Sequence, residues 1–521
     1  MASAAQAGAP AGAKPQNADA AAWLAVAAGT LGALMATLDI SIVNSALPTI
    51  QGEIGATGTE GTWVATSYLI AEIVIIPLAA WLERLLGLRT FLLIAAGLFT
   101  AFSILCGLST NLTMMIIGRV GQGFTGGAMI PTAQTIIATR LPSHQQPIGI
   151  AALGVTAVMG PVIGPLVGGW LTENVSWLYA FFITLPVCAV LVILLLVGLP
   201  HRALRLEFLK EADWLGIIGL AMGLGGLTVL LEEGQREQWF ASELIWWMAI
   251  ISATGFASLI TGQLTARRPV IKLRLLLDRQ FGSVALMGVV LGIAIYGTTY
   301  AIPQFLAAIA GYDSLQSGKV VLLSGIPSLL MMAMVPILLR RIDVRVAVAS
   351  SLFILSTSAL LDADLTIHST GSAFTISQLL RGVGQILGFL FLNQACVRSV
   401  PVTDAGDAAG LFNSVRNLGG SLALAGISII QDQRLWFHSR RLEETLHANS
   451  PAVQDYVSST AQMVGSDQGG LRLIAMQIQQ QALVMTYNDI FWVMSMGILM
   501  VLPLVFFLRP LPKNAPPAAM H

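Results

Sequence analysis

Asp39, Glu72, Arg119, Arg381 and Arg416 each interrupt a long apolar run. A charge at bilayer depth is costly, so such residues face a partner or a water-filled path. A carboxylate paired with arginine in one conformation and desolvated in another holds its proton differently in the two, and so binds and releases it as the conformation changes. Asp39 and Glu72 are the acids suited to that task, and Arg119 is the natural partner of Asp39. At about 1.5 Å per helical residue, Asp39 lies about 12 Å and Arg119 about 9 Å below the outer ends of their runs, and Glu72 near 15 Å, the midplane. A permanent Asp39 to Arg119 ion pair that merely fixes packing is the other reading. Arg381, about 12 Å from the outside, and Arg416, about 13 Å from the inside, could each bond a backbone carbonyl of a broken helix. Glu232 and Glu233 stand at an outer helix end, where solvation is cheap, and read as interfacial.

The elements that must hold these side chains follow from composition. Of 521 residues, 55% are hydrophobic and 10% charged, against roughly 25% charged in a soluble domain. A bilayer span needs about 20 apolar residues. Fourteen runs of that size are present: 22–47, 62–82, 90–108, 113–138, 148–172, 178–199, 214–231, 243–262, 281–305, 317–338, 346–363, 373–398, 407–430 and 488–508. The chain is therefore expected to be an all-α integral membrane protein. Lys+Arg and Asp+Glu both number 27, so no basic excess exists to neutralise a nucleic acid. Cys106, Cys188 and Cys396 lie far apart in apolar runs, encoding neither a disulfide framework nor a metal site. No GxxxxGK[ST] phosphate loop occurs, which excludes an ATP-driven pump within this chain.

Short cytoplasmic loops carry an excess of Lys and Arg. With the N-terminus in the cytosol, 18 of the 27 basic residues fall on that side, and only Arg236 and Lys319 in short outer loops. Both termini are thus expected to be cytosolic, with 1–21 and 509–521 as tails and the first of these disordered. The long outer segment 431–487 is soluble in character. Ser450-Pro451 signals a helix start and Gly469-Gly470 a break, so two short amphipathic helices are expected near 451–463 and 471–486. The segment is either a loop packed over helix ends or a docking surface.

The motifs resemble a known group. Leu38-Asp39-Ile40-Ser41-Ile42-Val43-Asn44-Ser45-Ala46-Leu47-Pro48 is similar to the first-helix signature of the fourteen-helix drug:proton antiporters of the major facilitator superfamily, the EmrB/QacA group. Arg119-Val120-Gly121-Gln122-Gly123, with Gly126 and Gly127, resembles the superfamily's motif B, whose arginine is implicated in proton coupling. Gly160, Gly164, Pro165, Gly168 and Gly169 match the antiporter motif C. Glycines at four-residue spacing lay a flat strip on one helix face, and Pro165 removes a backbone hydrogen bond. Such a strip can seal one side of a cavity; ordinary small-residue packing is the alternative. The loop 80–89 departs from motif A, with Ala80 and Glu83 in place of its Gly and Asp, and Glu83, Arg84 and Arg89 could form a substitute ion-pair latch.

The resemblance implies two six-helix bundles, 22–199 and 281–508, joined by a linker, 200–280, that carries two extra spans, all rocking about a central cavity. It implies a proton-driven multidrug efflux transporter of a bacterial inner membrane, with lipophilic drugs and membrane lipid as contacts and the proton as its only coupling species. A periplasmic adaptor of the EmrA kind and an outer-membrane channel of the TolC kind are the implied partners. Asn44, Tyr68, Tyr296, Gln304, Gln385 and Asn417 are candidates to line the cavity, although each could equally serve helix packing. A stand-alone exporter of a metabolite, lipid or siderophore is the alternative. A membrane sensor or enzyme on the same fold would need clustered catalytic side chains, and the six His do not cluster in the runs.

Overall fold

The computed structural model describes residues 17–508 apart from 57–60, 62, 143, 202–203, 206, 211, 267–268, 402–403, 446–450 and 465–466. Most of the tail 1–21 and all of 509–521 lie outside the described residues. All fourteen apolar runs are helical. They form α1 (Ala20–Glu53), α2 (Trp63–Leu86), α3 (Leu88–Gly107), α4 (Leu112–Gly126 continued by Met129–Arg140), α5 (Gln146–Asn174) and α6 (Tyr179–Gly198). The extra pair follows as α7 (Trp214–Glu233) and α8 (Glu243–Thr265). Then come α9 (Arg279–Ala310), α10 (Ser314–Leu322 continued by Gly325–Arg341), α11 (Val344–Leu361), α12 (Thr375–Arg398), α13 (Ala405–Thr445), α14 (Pro451–Val464) and α15 (Asp467–Met500).

Helix starts follow local chemistry. The side chains of Asp19, Asn111, Asp213 and Asp278 each accept a backbone N–H of the first turn that follows, at α1, α4, α7 and α9. Ten helices among the described residues are long and apolar enough to cross a membrane by length and composition.

Helices α1 to α6 pack on one another around apolar side chains such as Ala33, Met35, Phe99, Ile136 and Leu195 on one side and Ile42, Val43 and Phe181 on the other. Helices α9 to α13 and α15 pack around Phe305, Phe374, Tyr487 and Phe491. Between these two sets, α2 lies against α13 and α5 against α10. Helix α7 packs on both α2 and α13, so the extra pair covers that seam instead of standing apart from the bundles. Large apolar side chains left exposed, among them Leu98, Ile193, Val197, Trp246 and Trp247, lie on the outward faces of α3, α6 and α8, as lipid-facing surfaces require.

The outer segment departs from expectation. Helix α13 does not stop at 430 but continues to Thr445, about 22 Å further at 1.5 Å per residue. Helix α14 stands near the expected 451–463. The second short helix, expected at 471–486, is instead the start of α15, which runs unbroken into the last span. Gly469-Gly470 does not break it: a Cβ on Gly470 would come within 2.8 Å of the Ala461 backbone N, so this glycine allows α14 to lie close on α15. The projecting part of α13 is tied to α15 by Arg434 Nε and His438 Nε2 on Asp489 Oδ2, at 2.6 and 2.7 Å, and by Gln431 Nε2 donating to Tyr487 Oη at 2.9 Å.

Candidate functional site

Asp39 and Arg119 meet inside the first bundle, as their depths predict. Arg119 Nη1 donates to Asp39 Oδ2 at 2.6 Å, and both side chains are almost wholly excluded from solvent. Gln122 was not singled out from the sequence, yet its Nε2 donates to Asp39 Oδ1 at 2.9 Å and to Ser103 Oγ at 2.9 Å. It stands three residues after Arg119, hence on the same helix face, and that spacing was the available signal. Arg119 Nε donates to the Val64 carbonyl at 3.0 Å, and its guanidinium lies 4.3 Å from the centre of the Tyr68 ring. Tyr68 is therefore fully buried as a wall of the ion-pair chamber, not exposed on a central cavity as expected.

The motif C strip is positioned against this same element. Gly160, Gly164 and Gly168 on α5 face Thr37, Ser41 and Ser45 on α1, matching four-residue spacing with four-residue spacing. A Cβ on Gly160 would come within 2.6 Å of Thr37, and one on Gly164 or Gly168 would overlap Ser41 or Ser45. Gly169 has open space instead, so it is not part of the contact strip. The backbone of Pro165 is helical; its side chain lies outside the described ones. Asp39 thus projects from a helix whose neighbouring face is held flush against α5.

Glu72 occupies a different setting, on α2 at the seam with α13. Gly126-Gly127 interrupts α4 there, and a Cβ on Gly127 would come within 2.8 Å of Glu72 Cγ, so the missing side chain admits the acid. Asn417 Nδ2 lies 3.5 Å from Glu72 Oε1, and Tyr296 Oη donates to Asn417 Oδ1 at 3.3 Å. Three expected site residues, Glu72, Tyr296 and Asn417, are thus brought together across α2, α9 and α13. Asn44 and Gln304 are exposed and Gln385 is half-buried; among the described residues no hydrogen bond joins these three to the Glu72 group.

Two other arginines behave differently from each other. Arg381 does not bond a backbone carbonyl; its Nη2 lies 2.6 Å from Asp362 Oδ2, an acid at the end of α11 that sequence separation concealed. Arg416 lies over the Phe389 ring, 5.3 Å from its centre, and its Nη2 donates to Asn417 Oδ1 at 3.4 Å. Glu232 and Glu233 are not at a solvated interface either. Glu233 is buried, accepting from Thr66 Oγ1 of α2 at 3.1 Å, and Glu232 accepts from Ser421 Oγ of α13 at 3.0 Å.

Where α2 ends and α13 begins, the two bundles are joined by polar contacts. Arg84 lies 3.1 Å from Asp407 Oδ1, and Lys272 pairs with Asp404 and stands 3.8 Å from Asp407. Of the three residues expected to form a latch, only Arg84 crosses between the bundles. Glu83 turns to Thr132 and Thr135, and Arg89 donates to the Leu199 carbonyl at 3.2 Å, all within the first bundle. Above the ion pairs, Gln134 Nε2 donates to Asn393 Oδ1 and Asn413 Nδ2 donates to Gln134 Oε1, each at 2.8 Å.

A two-bundle helical shell with a buried acid-base pair and an inner latch defines a class of membrane transporter. The Major Facilitator Superfamily model matches residues 29–424, and the chain belongs to that superfamily, in its EmrB-like group. It is 31% identical to the colistin resistance protein EmrB of Acinetobacter baumannii over 90% of this chain and 93% of that one. It is 30% identical to the multidrug export protein EmrB of Escherichia coli over 92% and 94% of the two chains. The human organic anion transporter MFSD10 has the same fold, with a TM-score of 0.56 over 92% of this chain and 99% of that one at 14% identity.

Proposed function

We propose that this chain is a multidrug exporter that exchanges protons for lipophilic molecules across a bacterial inner membrane, with both termini in the cytosol. The observation that carries the reading is the Asp39 chamber. Both carboxylate oxygens are engaged, by Arg119 and Gln122, with no solvent access in this conformation. A proton landing on Asp39 cancels the ion pair and leaves a buried guanidinium without its counter-charge, a change worth several kcal/mol. Because α1 is pressed along the glycine strip of α5, that change re-packs a helix pair instead of relaxing locally. Protonation from the outside thus favours the return of the empty carrier to the inward-facing state, and cargo favours release of the proton.

The names of the EmrB relatives support drugs as the cargo, and the meeting of Tyr296, Asn417 and Glu72 across α2, α9 and α13 supports these residues as its contacts near the midplane. An EmrA-type adaptor leading to a TolC-type channel fits the projecting α13, α14 and α15, which carry the exposed side chains Trp436, Phe437 and Tyr456. Cargo-induced proton movement in proteoliposomes tests the exchange. Asp39→Asn is expected to abolish that movement in a protein that still folds, and wild-type coupling in the variant would remove Asp39 from the proton path. Deleting α14, 451–464, tests docking: efflux from cells should fall only when the adaptor is present.

A further inference from the structure

Helix α13 presents Asn417, Ser421, Ser428 and Asp432 on one side, since residues 4, 11 and 15 positions apart return to the same face at 3.6 residues per turn. That side meets acids at successive heights. Asn417 meets Glu72 at the midplane, and Ser421, one turn further out, meets Glu232 at the end of α7. Asp432 lines an outer cavity of about 490 Å³ together with Gln235, Gln238, Trp239 and Gln433. Gln235 is one turn beyond Glu232, so the floor of this cavity and the Glu232 carboxyl are neighbours along the chain. Gln238 and Trp239 both have left-handed backbone, φ 54° and 53°, a conformation costly for side chains of their size and held here by Trp239 Nε1 donating to Gln235 Oε1 at 2.7 Å.

The two acids of α7 are not equivalent. Glu233 has its counter-charge, Arg236 at 2.9 Å, and a hydroxyl from Thr66. The charges that act on Glu232 are those of Glu233 and Glu72, both acidic. Arg416, beside Asn417, faces Glu72 from α13. A carboxyl crowded by like charges, half-buried, and bonded only through hydroxyls is suited to carrying a proton and unsuited to holding two helices together by charge.

We propose that Glu232 is a relay carboxyl that passes protons between the outer cavity beside Gln235, Trp239 and Asp432 and Glu72 at the midplane, along the seam of α7 and α13. The extra helix pair then supplies the exchanger's outer proton path as far as Glu72, on which the Arg119 charge of the Asp39 chamber acts. In each passage the O–H bond on Glu232 breaks as one forms on Glu72, across a rise of about 6 Å from Ser421 to Asn417 that the Ser421 hydroxyl and bridging water span. Glu232, left as the carboxylate, takes its next proton from outer water. The Ser421 hydroxyl and each bridging water give up one proton as they take another, so their O–H bonds break and re-form and they end as they began. The relay rests on the proton exchange proposed above.

The test uses the full chain in proteoliposomes, reading the initial rate of dye-cargo-induced proton movement against outer pH, and cargo binding separately by fluorescence. Glu232→Gln keeps the shape and can still accept from Ser421, so a structural role predicts little change. The relay predicts at least a tenfold slower proton movement and a flattened pH profile, with cargo affinity within about twofold of wild type and most of the rate restored in Glu232→Asp. If Glu232→Gln does not fold, Ser421→Ala carries the test and is expected to slow proton movement several-fold. A wild type that moves no protons with its cargo overturns the exchange itself. A wild type that couples, beside a folded Glu232→Gln (or Ser421→Ala in its place) with the same rate and pH profile, overturns the relay alone.

Discussion

Gly164 and Ser41 face one another so closely that any side chain on the first would occupy the place of the second. The same relationship joins Gly160 to Thr37 and Gly168 to Ser45, so the backbones of α5 and α1 run in contact for more than two turns around the level of Asp39. Close packing of this kind transmits displacement, because neither helix can move without the other or without opening a void.

Substituting Gly164 by Val is therefore expected to reduce transport at least tenfold, by prising α1 from α5 and displacing Asp39 from Arg119. Gly169→Ala is the matched control. It has open space and should leave transport unchanged, with stability equal or raised by up to about 1 kcal/mol, as helix propensity predicts. Efflux and thermal unfolding of the two purified variants check both outcomes. Equal effects would show that the spacing of the strip is immaterial.

Arg119→Ala should be more damaging to the fold than Asp39→Asn. The first leaves Asp39 buried and facing Gln122 alone, with the Val64 carbonyl short of its side-chain donor and the Tyr68 ring uncovered. Removing one member of a buried pair typically costs about 3–5 kcal/mol. The second removes the counter-charge of Arg119, as protonation does, but keeps the shape, the Arg119 contacts to Val64 and Tyr68, and an oxygen for the guanidinium. A clearly lower melting temperature for Arg119→Ala than for Asp39→Asn, measured in the same detergent, is expected.

Much of this was legible in the sequence, and the parts that were not share a cause. Run length gives helix number, and the depths of Asp39 and Arg119 counted along separate runs were enough to pair them. Partners on distant helices were concealed wherever the residue type was ordinary at its position. Asp362, Gln134 and Asn413 look like loop or packing residues until the helices are placed side by side. Glu232 and Glu233 were misread because a helix end usually meets water, and here α2 and α13 cover it. Gly469-Gly470 was misread because glycine pairs mark both breaks and close contacts, and only the neighbouring α14 decides between them. Tyr68 was placed on the cavity because its hydroxyl suits a ligand, although its ring belongs under Arg119.

The Arg84 to Asp407 pair should act on conformation more than on stability. Arg84 is more than one-third exposed, so the pair contributes at most about 1 kcal/mol to folding. Between two states of similar free energy that is still a several-fold shift in population. Arg84→Asp is expected to raise the accessibility of the cytosolic cleft to impermeant reagents, and the double exchange Arg84→Asp with Asp407→Arg to restore it in part. Restoration is expected to be incomplete because Lys272 also faces Asp407. Cysteine labelling from the cytosolic side reads both, since Cys106, Cys188 and Cys396 are buried.

Gln134 offers the sharper test of the inner gate, because one side chain closes it from both ends. Its Nε2 serves Asn393 on α12 and its Oε1 serves Asn413 on α13. Gln134→Leu preserves bulk and strands Asn393 Oδ1 in a buried site, at about 1–3 kcal/mol for a group left without a partner, while Asn413 Nδ2 keeps the Ala409 carbonyl at 2.9 Å. The cost falls on the conformation in which the bundles meet around Gln134, since separation exposes both amides to water. About 1.4 kcal/mol shifts an equilibrium tenfold, so the variant should spend at least ten times longer with its cytosolic side open. A cysteine placed at Ala138, which borders both cytosolic clefts, should then be labelled correspondingly faster. Unchanged labelling in a folded Gln134→Leu would mean that the amide contacts persist in both states and belong to packing alone.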